Sequence, residues 1–137
     1  MTPYSYFSGK AELLETMVAS ALGSLDAGDD LPWQERVPAA MTRMHEALER
    51  HPGLLDLVMA GPDPPQVDEF RRELIAMMEA DGMGREEARD ALRILTAYTL
   101  GLTVLSRRRD RPESARRRRE SFDRGLASLM DEIGGAK

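Results

Sequence analysis

The stretch REEARDALRILTAYTLGLTVLSR, residues 85–107, decides the fold class of this chain. Apolar side chains recur along it at intervals of three and four residues, which is the spacing of one face of an α-helix. The positions are Ala88, Ala91, Leu92, Leu95, Tyr98, Thr99, Leu102 and Leu105. We therefore predict a long helix. Because its apolar arc is wider than a single stripe, other helices must cover this apolar surface.

The same spacing continues on both sides of this helix. It predicts amphipathic helices over 10–26, from Pro32 to about residue 50, over 65–81 and over 112–134, with a short apolar segment at 54–59. No run of β-branched residues alternates with polar ones, which argues against strands. The predicted fold class is therefore all-α, a helical bundle of five to six helices.

Three residues set expectations for where these helices begin. We expect Pro38 to kink the second helix or to delay its start, because proline lacks the N–H that a helix interior needs. Asp63 follows the first proline of a rigid break and is a candidate cap for the helix 65–81. Pro112 is expected to open the last helix.

Length and composition describe one globular domain. The chain has 137 residues, of which 42% are hydrophobic and 31% charged, enough apolar mass to bury a core. It has no cysteine, which excludes disulfides, thiolate metal sites and cysteine nucleophiles. No segment approaches the ~20 apolar residues of a membrane span, and the N-terminus lacks the apolar run of a signal peptide. We therefore expect a cytoplasmic protein with no membrane partner.

Charge is distributed unevenly along the chain. The net charge is -5, yet residues 107–119, RRRDRPESARRRR, hold eight arginines and two acids. Two interpretations of this arginine cluster stay open: a solvated connection between helices, or a site for a phosphate group or a charged partner. An acidic body does not attract nucleic acid over its whole surface, so any such attraction would be local.

Catalytic motifs do not occur in the sequence. The two histidines, His45 and His51, fall about 240° apart on a helix and cannot share a metal ion. His45-Glu46 begins like a zinc-protease motif, but the second histidine comes too late. There is no P-loop, nucleophile elbow or dinucleotide fingerprint. We therefore predict that the protein is not an enzyme and holds no metal and no cofactor.

Methionine is abundant, with nine residues in the chain. Those that fall on predicted inner helix faces are Met41, Met44, Met59, Met77 and Met78. Methionine adapts its shape to irregular cavities and to flexible apolar ligands. These side chains either fill the core or line a ligand pocket, to which His45 would add a polar contact.

The last two long helices carry more apolar surface than one small chain easily covers. If helix 85–107 pairs with helix 112–134, and this pair packs on the same pair of a second chain, a symmetric four-helix interface results. The alternative is burial of the same residues within one subunit. The predicted interface residues are Leu92, Leu95, Thr99, Phe122, Leu126, Leu129 and Met130.

The first residues carry a more specific signal. The stretch TPYSYFSGKAELL, residues 2–14, resembles the motif T-L-Y-x-H/Y-F-x-S/G-K-x-x-L-L of the TetR (tetracycline repressor-like) family of transcriptional regulators. Weaker similarities to the family's C-terminal domain follow in order along the chain. They are the Trp33 region, Arg50-His51-Pro52, Gly82-Met83-Gly84, Ala97-Tyr98 with Leu100-Gly101, and Phe122-Asp123-Arg124-Gly125-Leu126. The resemblance covers nearly the whole chain.

This resemblance implies a DNA-binding repressor under the control of a small hydrophobic effector. In such a protein an N-terminal helix-turn-helix binds operator DNA, and a C-terminal domain binds the effector and forms a homodimer, here through helices 85–107 and 112–134. By position, the family's DNA-contacting residues are matched by Thr2, Tyr4, Tyr6 and Lys10, whose side chains suit phosphate contacts. Residues 1–9 would be the remnant of the recognition helix, and 10–137 the effector-binding and dimerisation domain.

The effector pocket is expected between helices 33–50, 65–81 and 85–107. Its candidate lining residues are Met41, Met44, His45, Leu48, Met59, Phe70, Leu74, Met78, Tyr98 and Leu102. We expect several of them to be plain core. The sequence does not identify the effector, because a fold does not determine which ligand it binds.

Only Met1 precedes the N-terminal motif in this sequence, whereas a helix-turn-helix needs preceding helices as its scaffold. Either the chain is shortened or the gene encodes a regulator without its DNA-binding helices. In both cases we expect this chain alone not to bind operator DNA with normal affinity. The alternative to a regulator is a stand-alone helical dimer that binds a small molecule or a protein partner without DNA.

Overall fold

A computed structural model gives the structure of residues 31–107 and 113–135, together with Gly9, Glu12 and Thr16. In this part of the chain the helices are α1 (Trp33–Arg50), α2 (Leu54–Ala60), α3 (Pro65–Ala80), α4 (Arg85–Arg107) and α5 (Ala115–Gly135), and there is no strand. The all-α bundle expected from the sequence is confirmed, and the bounds of α4 are those that its apolar spacing predicted.

The predicted DNA contacts lie outside the described residues. This holds for Thr2, Tyr4, Tyr6 and Lys10, and for most of the predicted helix 10–26. Within that range the described residues Glu12 and Thr16 are helical, and the Thr16 hydroxyl donates a hydrogen bond to the Glu12 carbonyl oxygen at 2.9 Å.

Helix α1 begins one residue later than Pro32, which precedes it in extended conformation. The Pro32 carbonyl accepts hydrogen bonds from the backbone N–H groups of Glu35 and Arg36 at 3.0 and 2.9 Å, so the first turn is complete. Pro38 lies inside α1, which runs on to Arg50. The expectation that this proline delays the helix start is therefore wrong. Its ring falls early in the helix, where little of the backbone hydrogen-bond ladder precedes it.

One expected cap and one expected helix start also need correction, whereas the predicted start of α3 at Pro65 is confirmed. Pro64 precedes α3, and among the described residues no side chain caps that end. The Asp63 carboxylate instead accepts a hydrogen bond from Arg71 at 2.9 Å. Helix α5 begins at Ala115. There the Ser114 hydroxyl oxygen accepts a hydrogen bond from the Arg117 backbone N–H at 3.1 Å, which is the geometry of a serine N-cap. Pro112 lies outside the described residues.

Two apolar clusters hold the helices together. The main core lies where α1, α3, α4 and α5 meet, and it consists of Trp33, Val37, Met41, Leu74, Ile75, Met78, Met83, Ala88, Ala91, Leu92, Leu95, Phe122 and Leu126. The α2 cluster, built on Leu48, Leu54 and Leu55, seats the short helix α2 against the end of α1. Burial of these side chains is the main favourable term for folding, since each fully buried large apolar side chain contributes roughly 1.5–3 kcal/mol.

The start of α1 is tied to the end of α3 by polar contacts. The Asp81 carboxylate accepts hydrogen bonds from Trp33 Nε1 at 2.8 Å and from Gln34 Nε2 at 3.0 Å. The chain then reverses through Gly82, whose φ of 100° is the left-handed conformation that glycine adopts without strain. This turn positions α4 against both α1 and α3.

Candidate functional site

The structure brings most of the predicted pocket residues together. Met41, Leu74 and Met78 are buried in the main core, and Phe70, Tyr98 and Leu102 pack against it. Met44 and Leu48 belong to the α2 cluster instead. The side chain of Met59 is 68% exposed and lies in neither cluster, so it does not share an interior with the others.

His45 is the polar member of this interior. It is only 5% exposed, and its ring stacks on the ring of Phe122 with centroids 4.3 Å apart and planes 6° from parallel. Within the part of the chain that the structure describes, the buried Nδ1 atom has no hydrogen-bond partner. Burial lowers the pKa of His45 below its ordinary value of 6.5, because a charged imidazole loses its hydration there. A neutral ring with an unused nitrogen is therefore held inside the bundle.

The ring of Tyr98 also stacks on Phe122, with ring centroids 5.8 Å apart and planes 20° from parallel. Its hydroxyl donates to the carbonyl oxygens of Ser121 and Phe122, at 3.3 and 3.1 Å. Burial raises the pKa of the Tyr98 hydroxyl, and the Asp123 carboxylate adds to this effect. His45, Phe122 and Tyr98 thus form an aromatic row that joins α1, α5 and α4.

Arg36 is a buried charge that was not among the residues predicted from the sequence. Its side chain is 4% exposed, and Nη1 lies 2.9 Å from a carboxylate oxygen of Glu73 and 3.2 Å from the sulfur of Met77. The guanidinium carbon also lies 5.3 Å from the centroid of Phe70, within cation–π range. The signal that could have found it is its spacing, since Arg36 falls on the helix face of the apolar residues three before and four after it.

The predicted dimer residues are mostly covered by this chain itself. Leu92, Leu95, Thr99, Phe122 and Leu126 are buried, while Leu129 and Met130 are half-buried against the main core. The five buried residues have little surface left for a partner, whereas Leu129 and Met130 keep part of theirs. The dimer interface itself stays a prediction.

A different face of α4 carries exposed apolar side chains. Ile94, Val104 and Leu105 are exposed, and the small residues Ala97 and Gly101 lie exposed between them. Their spacing of three, four, three and one residues places all five on one side of the helix. We call these five residues the α4 stripe.

The described arginines of the cluster 107–119 mostly contact this chain's own acceptors. Arg118 binds the Glu49 carboxylate in a two-pronged ion pair, with Nη2 2.8 Å from Oε2 and Nε 2.9 Å from Oε1. Its Nη1 also donates to the Glu113 carbonyl oxygen. Hydrogen bonding from Arg118 lowers the pKa of Glu49. Arg119 lies 3.9 Å from Glu46, so this part of the cluster fastens the start of α5 to the end of α1.

A polar cleft of about 170 Å³ opens beside this ion pair. Its lining residues are Leu48, Glu49, Pro52, Thr103, Ser106, Arg107 and Arg118. They come from the ends of α1 and α4 and the start of α5. The residues that α4 contributes follow Tyr98 in the sequence, nearer the end of the helix. Among residues 31–107 and 113–135 no group of His, Asp and Glu side chains is placed to hold a metal ion.

These observations define an all-α bundle with a methionine-rich interior, a buried polar nitrogen and an apolar outer stripe. The model of the family "Tetracyclin repressor-like, C-terminal domain" matches residues 26–131, and the chain belongs to this family. Domains of this family typically dimerise and bind small ligands, which indicates a TetR-like regulator. No curated protein and no solved structure matches the chain significantly. In the described residues, no helix is both long and apolar enough to cross a membrane.

Proposed function

We propose that this chain is the effector-binding and dimerisation part of a cytoplasmic TetR-like transcriptional repressor. The family match supports the class of protein, and one observation supports the site. That observation is the buried Nδ1 of His45, which has no hydrogen-bond partner among the described residues although its ring stacks on Phe122 of the main core. A buried polar atom without a hydrogen-bond partner destabilises the fold, and such an atom calls for an explanation such as a hydrogen bond to a bound ligand.

The effector we propose is a small hydrophobic molecule with one hydrogen-bond donor. It enters between α1, α3 and α4, where Met41, Met77 and Met78 yield by changing rotamers, since methionine side chains repack at low cost. Its donor group binds Nδ1 of His45, which accepts a hydrogen bond in the neutral tautomer that carries its proton on Nε2.

The effector would act on DNA binding through α1. This helix contacts α4 and α5, and the chain that precedes it leads to residues 1–9, the proposed end of a DNA-recognition helix. An effector that binds one arrangement of α1 more tightly than another shifts the balance between them. Operator contact by Thr2, Tyr4, Tyr6 and Lys10 requires the other helices of a helix-turn-helix.

We also propose that the protein is a homodimer through α4 and α5, with the α4 stripe at its centre. Exposed apolar side chains flank Ala97 and Gly101, and such small residues let two helices approach closely. A two-fold axis would place the stripe against itself, as a symmetric interface requires.

A matched ligand pair tests the effector site. Thermal unfolding is measured with an alkylphenol and with the alkylbenzene of the same chain length, because binding to the native state raises Tm. We expect a larger rise with the phenol. The variant His45→Phe keeps a flat ring against Phe122 but removes Nδ1, so the difference between the two ligands should vanish. His51→Phe, at an exposed position, is the control and should keep the difference. If neither ligand raises Tm, or if His45→Phe still prefers the phenol, the proposal fails.

A further inference from the structure

The polar cleft shares Leu48 with the effector pocket predicted from the sequence, and its other lining residues are different ones. Its floor is the buried side chain of Leu48, and its charged groups come from three helices. Glu49 lies on α1, Arg107 at the end of α4 and Arg118 on α5. The lining therefore carries two positive charges and one negative charge.

The carboxylate of Glu49 is already hydrogen-bonded to Arg118. Both oxygens of Glu49 accept hydrogen bonds from Arg118, at 2.8 to 3.0 Å. Arg107 instead donates from Nη2 to the carbonyl oxygen of Pro52 at 2.6 Å, which is a neutral acceptor. In the described part of the chain no carboxylate lies within ion-pair distance of Arg107. Within these described residues Arg107 thus has no direct ion-pair partner, although its charge also acts on Glu49 at longer range. Its hydrogen bond to Pro52 uses one of the five N–H donors of the guanidinium.

The hydroxyl groups of the cleft supply hydrogen-bond acceptors, whereas Arg107 supplies donors. The Thr103 hydroxyl donates to the Thr99 carbonyl oxygen at 3.0 Å, and the Ser106 hydroxyl donates to the Leu102 carbonyl oxygen at 2.8 Å. Their hydrogens are committed to the helix backbone, so their lone pairs are left as acceptors. The cleft therefore combines guanidinium donors for an anion with hydroxyl acceptors for a neighbouring O–H group.

We propose that this cleft binds a small hydroxycarboxylate. The net charge of +1 on the lining matches a carboxylate with one negative charge, which Arg107 binds by charge-assisted hydrogen bonds. The ligand's hydroxyl group donates to Thr103 or Ser106, and its short carbon chain lies on Leu48. A volume of about 170 Å³ has room for such a molecule, since a single water needs only roughly 10–15 Å³.

The test is an NMR titration of the 137-residue chain with sodium glycolate, with sodium acetate and sodium chloride at equal ionic strength as comparisons. Glycolate should shift the backbone amide signals of Thr103, Ser106 and Arg107 in a saturable way, more tightly than acetate, while chloride should not. Arg107→Ala should weaken glycolate binding about tenfold, which is the loss expected for a charge-assisted contact.

The matched control is Arg117→Ala. It removes the same charge from the same arginine cluster at an exposed residue that does not line the cleft, so glycolate binding should stay within about twofold of wild type. Equal weakening by both variants would mean a diffuse charge effect and would overturn the site. Equal binding of acetate and glycolate would overturn the role of the hydroxyl acceptors.

Discussion

The ring of Tyr98 lies directly against the backbone of Gly125, at the crossing of α4 and α5. A Cβ atom added to Gly125 would overlap the Tyr98 hydroxyl oxygen and would lie 2.9 Å from Cε1 of the ring. The hydroxyl group donates to the carbonyl oxygens of Ser121 and Phe122, one turn earlier in α5. Glycine is therefore the residue that lets this tyrosine reach the helix backbone, and the contact sets how closely the two helices approach.

Gly125→Ala should destabilise the fold, because the added methyl group displaces the Tyr98 ring from its hydrogen bonds and from Phe122. We expect a loss of about 1–3 kcal/mol in the free energy of unfolding, the usual cost of overpacking, measured by urea denaturation at fixed protein concentration. Gly134→Ala, in the same helix with open space around it, is the control and should gain up to about 1 kcal/mol. A Gly125→Ala protein as stable as wild type would show that the ring can move away freely.

The apolar spacing of α4, together with Gly82 and Gly84 before it, predicted its bounds, because helix periodicity and glycine breaks are local features of the sequence. It could not predict which part of the apolar arc this chain covers. Leu95 and Phe122 were expected at a dimer surface, yet each is completely buried by the chain's own helices, and the exposed residues Ile94 and Leu105 take the outer face. This assignment depends on how four helices pack, which single-helix periodicity does not encode.

For the candidate site, too, the sequence predicted helix positions but not the contacts between helices. Met41 and Met78 lie inside as their helix positions indicated, whereas Met59 near the end of α2 is exposed. The way in which the short helix α2 packs on the bundle decides this, and it is not encoded in the local sequence pattern. The stacking of His45 on Phe122 joins residues that are distant in sequence, so only the tertiary fold could reveal it. The same holds for the ion pair between Glu49 and Arg118.

The stability of the protein should fall as His45 becomes protonated. Burial lowers its pKa in the folded state below 6.5, so the neutral form is favoured in the fold. Glu49 and Asp123 oppose this shift, and Arg119 and Arg118 add to it. The contribution is then fully present above the unfolded pKa of 6.5 and is lost as the pH falls below it towards the folded pKa.

Urea denaturation at a series of pH values between about 7.5 and 5.5 measures this effect. We expect the midpoint of wild type to decline over this range and the decline to be smaller in His45→Phe, which has no titrating ring. His51→Phe removes the exposed histidine and should leave the decline as in wild type. An equal decline in wild type and His45→Phe would assign the pH dependence to other groups.

The ion pair between Glu49 and Arg118 should stabilise the fold more than a surface pair does. Its side chains are about three-quarters buried, and its two-pronged geometry fixes α5 on α1. A double-mutant cycle with Glu49→Gln and Arg118→Ala should give a coupling energy of about 1 kcal/mol. The i,i+4 pair of Arg116 and Glu120, with Arg116 90% exposed, is the comparison and should give about 0.3–0.5 kcal/mol. A smaller coupling for Glu49 and Arg118 than for this surface pair would contradict the expected order.

The Glu49–Arg118 pair gives a second pH dependence of stability. It arises from a hydrogen-bonded carboxylate, whereas that of His45 arises from burial of an imidazole. Hydrogen bonding from Arg118 lowers the pKa of Glu49 below its ordinary 4.5. Its stabilisation is therefore present above the unfolded pKa and is lost as the pH falls through the folded pKa. Acid denaturation followed by circular dichroism should begin at a higher pH in Arg118→Ala than in wild type. An unchanged acid transition would show that Glu49 is not among the carboxylates that control it.

Gly101→Arg should separate dimerisation from folding. A side chain at Gly101 meets open space within one chain, so the fold should hold, but an arginine would place a charge in the middle of the α4 stripe. Light scattering after size-exclusion chromatography should find wild type as a dimer at micromolar concentration and Gly101→Arg as a monomer with an unchanged helical circular dichroism spectrum. Gly61→Arg introduces the same side chain at another open glycine, between α2 and α3, and should remain dimeric. A monomeric wild type, or a Gly101→Arg protein that still forms a dimer, would remove the α4 stripe from the interface.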